Sequence, residues 1–106
     1  MSSSDRRRSD RIPIEMWVEQ SRGKELYFQR SANLSAGGLF LENTIPHPVG
    51  TLITLQFTLP GDSAPLEVHG EIVSAASASD LGMGVKFIEV GTDIQARIDA
   101  FIASRK

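Results

Sequence analysis

The chain of 106 residues contains no cysteine. Disulfides and thiolate metal sites are thereby excluded, and the composition suits a reducing compartment. Its two histidines are isolated, His47 between Pro46 and Pro48 and His69 on a polar strand face between Glu67 and Glu71, and show no metal-ligand spacing. No apolar run approaches the roughly 20 residues of a membrane span. The arginine-rich start has no apolar segment behind it, so no secretory signal is predicted, and a cytoplasmic placement is the expectation. Gly37-Gly38 is followed by Leu39 rather than by Lys-Ser/Thr, so there is no Walker loop. Ser35 has neither a nucleophile elbow around it nor an evident base partner, which argues against catalysis. No internal repeat is visible, and the expectation is a single domain without a second domain or output module. Positive charge is also in deficit, with a net charge of −2; proteins that coat nucleic acid are usually strongly basic.

What positive charge there is lies mostly at one end. Residues 1–11 carry four arginines against two aspartates, a balance of +2, and residues 12–106 carry seven basic against eleven acidic residues, a balance of −4. Asp5-Arg6-Arg7-Arg8-Ser9-Asp10-Arg11 is thus a basic segment ahead of an acidic domain. A solvated tail is one reading of it. The other is an anion grip, because guanidinium bonds bidentately to phosphate and to the O6/N7 edge of guanine. Residues 1–5 are small and polar and are expected to be disordered.

Period-two alternation predicts the body of the fold. Ile14, Met16 and Val18 alternate with Glu15, Trp17 and Glu19, which puts Trp17 on the outer face. Leu26 to Ala32 reads as a weaker strand, Asn33 to Gly38 as a loop and Leu39 to Leu41 as strand. Residues 51–59 carry the clearest alternation, and Pro60-Gly61-Asp62 is turn chemistry. Leu66 to Ile72 and Gly82 to Phe87 complete six strands, separated by an aperiodic Ser74–Ser79 stretch. Ile94, Ile98, Phe101 and Ile102 then recur at helical spacing, and Thr92 with Gln95 fits a capping box. The expectation is a mainly β protein, a six-stranded antiparallel barrel with a C-terminal helix over about residues 92–103.

Two further stretches stand out. Asn33-x-Ser35-x-x-Gly38 offers short polar side chains at a strand exit, and Gly38, with Gly37, allows close backbone approach. It is equally an ordinary Asn/Ser/Gly loop. Gly82-Met83-Gly84-Val85-Lys86-Phe87 places glycines inside a strand, where they mark barrel curvature or a ligand's approach.

Taken in order, Arg7-x-x-x-Arg11, Asn33-x-Ser35-x-x-Gly38 and Gly-x-Gly-Val-Lys-Phe resemble the PilZ domain family over about residues 6–102. The resemblance implies a six-stranded antiparallel β-barrel with a C-terminal helix that binds the bacterial second messenger cyclic di-GMP without catalysis. The domain would span residues 6–103, with an N-terminal arginine switch segment at 6–11. Arg7 and Arg11 match the motif arginines, Asn33 its Asp/Asn position, and Ser35 and Gly38 its serine and glycine. Arg6 precedes the motif, as in members that take two intercalated cyclic di-GMP molecules. Arg8, Gly37, Met83 and Gly84 are secondary candidates. The implied partner is an unidentified effector protein, with neither membrane nor nucleic acid expected. The resemblance leaves open a PilZ-fold interaction module working without nucleotide. Nucleic-acid binding through the tail is the other alternative, and the acidic remainder argues against it. A homodimer is also open, since barrel edges and the helix both offer surfaces.

Overall fold

A computed structural model describes residues 11–44, 46–76 and 81–105. The alternating segments become strands β1 (Arg11–Pro13), β2 (Trp17–Arg22), β3 (Glu25–Ser35), β4 (Gly38–Glu42), β5 (Leu52–Phe57), β6 (Leu66–Ala76) and β7 (Gly82–Ile88). All pairings are antiparallel. Strands run β3-β2-β5-β6-β7-β4, and β4 pairs back onto β3, which closes a six-stranded barrel. The three-residue β1 is an addition on the flank of β3.

The inward set is mostly apolar, with Gln20, Ser31 and Ser35 its buried polar members. Val18, Leu34, Leu39, Leu41, Leu55, Ile72 and Met83 are fully buried in one core. Each such side chain contributes on the order of 1.5–3 kcal/mol through removal from water. Helix α1 (Thr92–Arg105) adds Ile98 and Ile102 to that core, with Ile94 and Phe101 half-buried beside them. It caps the barrel end that carries the β3–β4 turn and the β5–β6 loop. Gln95 Nε2 donates to Ala36 O at 3.0 Å, and Arg97 Nη2 donates to Asp62 Oδ2 at 3.0 Å and Ala64 O at 2.8 Å.

β2 and β3 form a hairpin around Gly23-Lys24. Gly23 has φ +61° and Lys24 lies outside the left-handed region, the pattern of a type II′ two-residue turn. Near the opposite rim the inward Gln20 is fully buried and donates from Nε2 to His47 Nε2 at 2.8 Å.

Four local expectations change. The first long strand begins at Trp17, not Ile14. Residues 14–16 form a corner fastened by Ser31, whose Oγ donates to Ile14 O at 2.7 Å and accepts from Met16 N at 3.2 Å. Asn33 to Ser35 are the end of β3, and only Ala36-Gly37 is turn. β6 runs on to Ala76 through an irregularity between Ile72 and Ser74, which disguised its alternation; residues 77–80 lie outside the described residues. The capping box is absent. Gln95 N donates to Gly91 O, so Gly91 starts the helix, and the Gln95 side chain goes to Ala36 O and to Asp99 Oδ1 at 2.9 Å.

Candidate functional site

Four strands lying abreast bring the candidates together. In register, Arg11 on β1 faces Ser35 on β3, Ser35 faces Gly38 on β4, and Gly38 faces Lys86 on β7. β1 is held by its ladder to β3 and by Ile12, which enters the core, so Arg11 and Pro13 point outward. Arg11 Nη1 donates to Asn33 Oδ1 at 2.8 Å. Asn33 therefore orients the guanidinium and leaves its remaining N–H groups to face solvent.

The turn between β3 and β4 is fixed at every carbonyl. Ala36 O accepts from Gln95, Gly37 O accepts from Phe87 N at 2.8 Å, and Gly38 O accepts from Ser35 Oγ at 3.3 Å. Ser35 is 3% exposed, so its hydroxyl serves the turn first. The two glycines differ in kind. A Cβ on Gly38 would overlap the Val85 carbonyl oxygen and lie 3.1 Å from its carbon. A Cβ on Gly37 would meet nothing within 4 Å. Gly38 is thus required by strand packing, whereas Gly37 presents bare backbone outward.

Beside this turn lies a shallow cavity of about 430 Å³ bordered by Arg11, Ser35, Gly37, Gly38, Val73, Val85 and Lys86. Two cations and no carboxylate line it. Glu71 is the register neighbour of Lys86 on β6, yet among the described residues the two make no ion pair. An open, cationic, glycine-floored cavity with an apolar ledge at Val73 suits a ligand combining phosphate with a flat base.

Arg11, Asn33, Ser35, Gly37 and Gly38 are accordingly neighbours, while Arg6, Arg7 and Arg8 lie outside the described residues. Two secondary candidates have packing roles. Met83 is fully buried in the core. Gly84 sits where a side chain would collide with Ser74 Oγ at the β6 irregularity. Lys86 and Val73 were not singled out from the sequence. The signal for Lys86 was its outward parity directly after Gly-x-Gly-Val; Val73 carries none, because only strand register brings it here. Among the described residues there is no grouping of three His, Cys, Asp or Glu able to hold a metal. No described helix is long and apolar enough to cross a membrane.

Comparison with known proteins agrees with this architecture. A family model described as PilZ domain matches residues 5–104. No curated protein shows significant similarity to the chain. Among solved structures, the Bacillus subtilis inhibitor of motility, MotI/DgrA, superposes with a TM-score of 0.79 at 18% identity, covering 90% of this chain. This chain spans only 48% of that protein. The PilZ domain of YcgR from Escherichia coli, solved with c-di-GMP, gives 0.75 at 15% identity over 93% of this chain and 90% of its own. The Borreliella burgdorferi PlzA protein, in complex with c-di-GMP, gives 0.60 at 14% identity over 97% of this chain and 55% of its own.

Proposed function

The chain belongs to the PilZ domain family, and from that premise we propose that it is a cytoplasmic receptor for cyclic di-GMP that acts on a partner protein and has no catalytic role. The observation that carries this reading is the acid-free cavity with Arg11 and Lys86 at its border and the bare backbone of Gly37 in its floor. The c-di-GMP named with YcgR and PlzA is a ligand of matching chemistry. MotI, described as an inhibitor of motility, supports action on another protein.

Each residue has a role in this reading. Arg11, aimed by Asn33, meets a phosphate or the Hoogsteen edge of guanine, and Arg7 does the same from the tail. Asn33 Oδ1 accepts from Arg11 and keeps a second lone pair for a guanine N–H, while its amide N–H groups are donors for a ligand acceptor. Ser35 holds the turn and Gly38 keeps β4 against β7. Lys86 takes a second phosphate as a point charge. Val73, 47% exposed, offers a base an apolar ledge. Arg6 supplies the additional cation needed for two intercalated ligands, which carry four phosphate charges. Arg8 adds to the same field. Before binding, like charges on residues 6–11 repel one another; ligand phosphates remove that repulsion and let the segment fold over the nucleotide. The covered surface is then what the partner reads.

Isothermal calorimetry with cyclic di-GMP tests this directly. Loss of a charge-assisted hydrogen bond costs about 1.5–3 kcal/mol, so Arg11→Ala is expected to weaken binding roughly 10- to 150-fold. A stoichiometry of two is expected, falling to one in Arg6→Ala. Absence of heat with the wild type, or equal affinities for wild type and Arg11→Ala, refutes the assignment.

A further inference from the structure

Among the described residues the first half of β3 leaves a flank of the barrel open, and this flank lies away from the cavity beside the β3–β4 turn. β4 covers β3 only over Arg30 to Ser35. At Asn43 the backbone enters the left-handed region, φ 53°, and its N–H turns to Leu81 O at 2.8 Å. Asn43 therefore leaves the ladder just where it would have paired with Gln29. The first half of β3, Glu25 to Gln29, keeps β2 on one side and has no ladder partner on the other among the described residues.

Hairpin parity shows which groups that edge presents. A two-residue turn makes Arg22 and Glu25 a hydrogen-bonded pair, and Gln20–Tyr27 and Val18–Gln29 follow by alternation. Leu26 and Phe28 must then direct their N–H and C=O groups away from β2, into the open flank. Their side chains stand on the outer face, 53% and 66% exposed, beside Trp17 at 64%. Arg30 stacks over the Trp17 ring, its guanidinium carbon 5.1 Å from the centroid. A trench of about 660 Å³ follows this edge and is bordered by Trp17, Phe28, Arg30, Glu42 and Thr44 among others. Glu25 is the one charge on the inner face of this five-residue edge, where Tyr27 Oη donates to its Oε1 at 3.0 Å; beyond it the edge carries no charge and no proline, a surface proteins normally avoid leaving bare.

We propose that this edge is a homodimer interface, in which β3 of one copy pairs antiparallel with β3 of a second about a two-fold axis at Leu26. The edge is complementary to itself in this register. Leu26 exchanges backbone hydrogen bonds with Leu26 of the second copy, and Phe28 pairs with Lys24. The two apolar outer stripes become continuous across the axis. Lys24 of the second copy then sits two positions beyond Glu42 along the same line and on the same face, so opposite charges meet at both ends of the joined strands. One register earlier, Glu25 would abut Glu42; this register leaves one position, opposite Gln29, for Asn43 to turn out. The open edge is only five residues long, Glu25 to Gln29, a small contact beside the about 800 Å² per partner that stable complexes usually bury, so association is expected only at high concentration.

Sedimentation of the wild type from low micromolar to about 1 mM is expected to show a weight-average mass rising from 11.6 kDa toward twice that value. Phe28→Lys, a change at an exposed side chain, is expected to abolish the rise. Lys24→Glu is expected to weaken association at least tenfold, and the double variant Lys24→Glu/Glu42→Lys to restore it. Because the chain has no cysteine, Leu26→Cys gives a single thiol lying on the axis. Directly paired Cα atoms about 5.5 Å apart are within disulfide reach. Mild oxidation should cross-link Leu26→Cys much faster than Leu52→Cys, placed on β5 and 63% exposed. A wild type that remains monomeric throughout overturns the proposal, since the trench then serves some other strand or none. So does a dimer indifferent to Phe28→Lys, or equal cross-linking of the two cysteine variants.

Discussion

Replacing Gly37 and Gly38 separately by alanine should split stability from binding. At Gly38 the added methyl overlaps the Val85 carbonyl oxygen and lies 3.1 Å from Val85 C and 3.3 Å from Lys86 Cα. A comfortable carbon–oxygen approach is about 3.3–3.6 Å. All three opposing atoms are backbone of β7, in its ladder with β4, so none can rotate aside as a side chain would. Overpacking typically costs about 1–3 kcal/mol, and the rigidity here places Gly38→Ala in the upper half of that range. For a domain near 100 residues each kcal/mol lowers the melting temperature by about 4 °C or more, so a fall of about 8 °C or more is expected by differential scanning calorimetry. At Gly37 the methyl meets nothing within 4 Å, and its φ is not in the left-handed region. Its effect on stability should stay within about 0.5 kcal/mol. The same methyl, however, enters the floor of the cavity and should weaken cyclic di-GMP binding. Equal melting temperatures for the two variants, or a Gly37→Ala protein that melts as low as Gly38→Ala, would refute the packing argument.

Other perturbations are equally specific. Ser31 is fully buried and its hydroxyl serves two backbone groups of the β1–β2 corner; Ser31→Ala should cost about 1–3 kcal/mol by chemical denaturation, by leaving buried groups unpaired. Ile98 is the most buried residue of α1, and Ile98→Ala should cost about 2–5 kcal/mol, measured in the same way. Asn33→Ala removes the guide on Arg11 but not its charge, so calorimetry should show weaker nucleotide binding than wild type and tighter binding than Arg11→Ala. Affinity for cyclic di-GMP should fall as salt rises from about 0.01 M to 1 M, because screening between partly exposed charges shortens from about 30 Å to 3 Å; an affinity flat with salt would argue against phosphate contacts.

The strands were legible where one face was buried and the other wet, as in Ile53, Leu55 and Phe57 against Thr54 and Gln56. They were hidden where that contrast failed. Arg11–Pro13 carries one buried side chain in three and ends in proline, yet it forms a strand because it needs pairing on one side only. Asn33 and Ser35 have turn chemistry but are held in β3 by ladders on both flanks, β1 and β4; tertiary pairing overrides local preference there. The candidate site was half legible for the same reason. Arg11, Asn33, Ser35 and Gly38 are visible as spaced types along the chain. Lys86, Val73 and the Gln95 tie depend on which strands lie side by side, a fact that appears only once β4 is known to sit between β3 and β7.

The ladder between β4 and β7 also has a bearing on time. The β2–β3 hairpin forms across a two-residue turn, but Gly38 pairs with Lys86, forty-eight positions away in the chain. Contacts between distant residues bear the largest loop-closure entropy and tend to set slow folding rates. The cavity needs β1, β4 and β7 together, so it exists only after the most distant strands have met. A nucleotide held there would encounter only chains that have already closed. Its stabilisation should therefore appear as slower unfolding, with the folding rate unchanged.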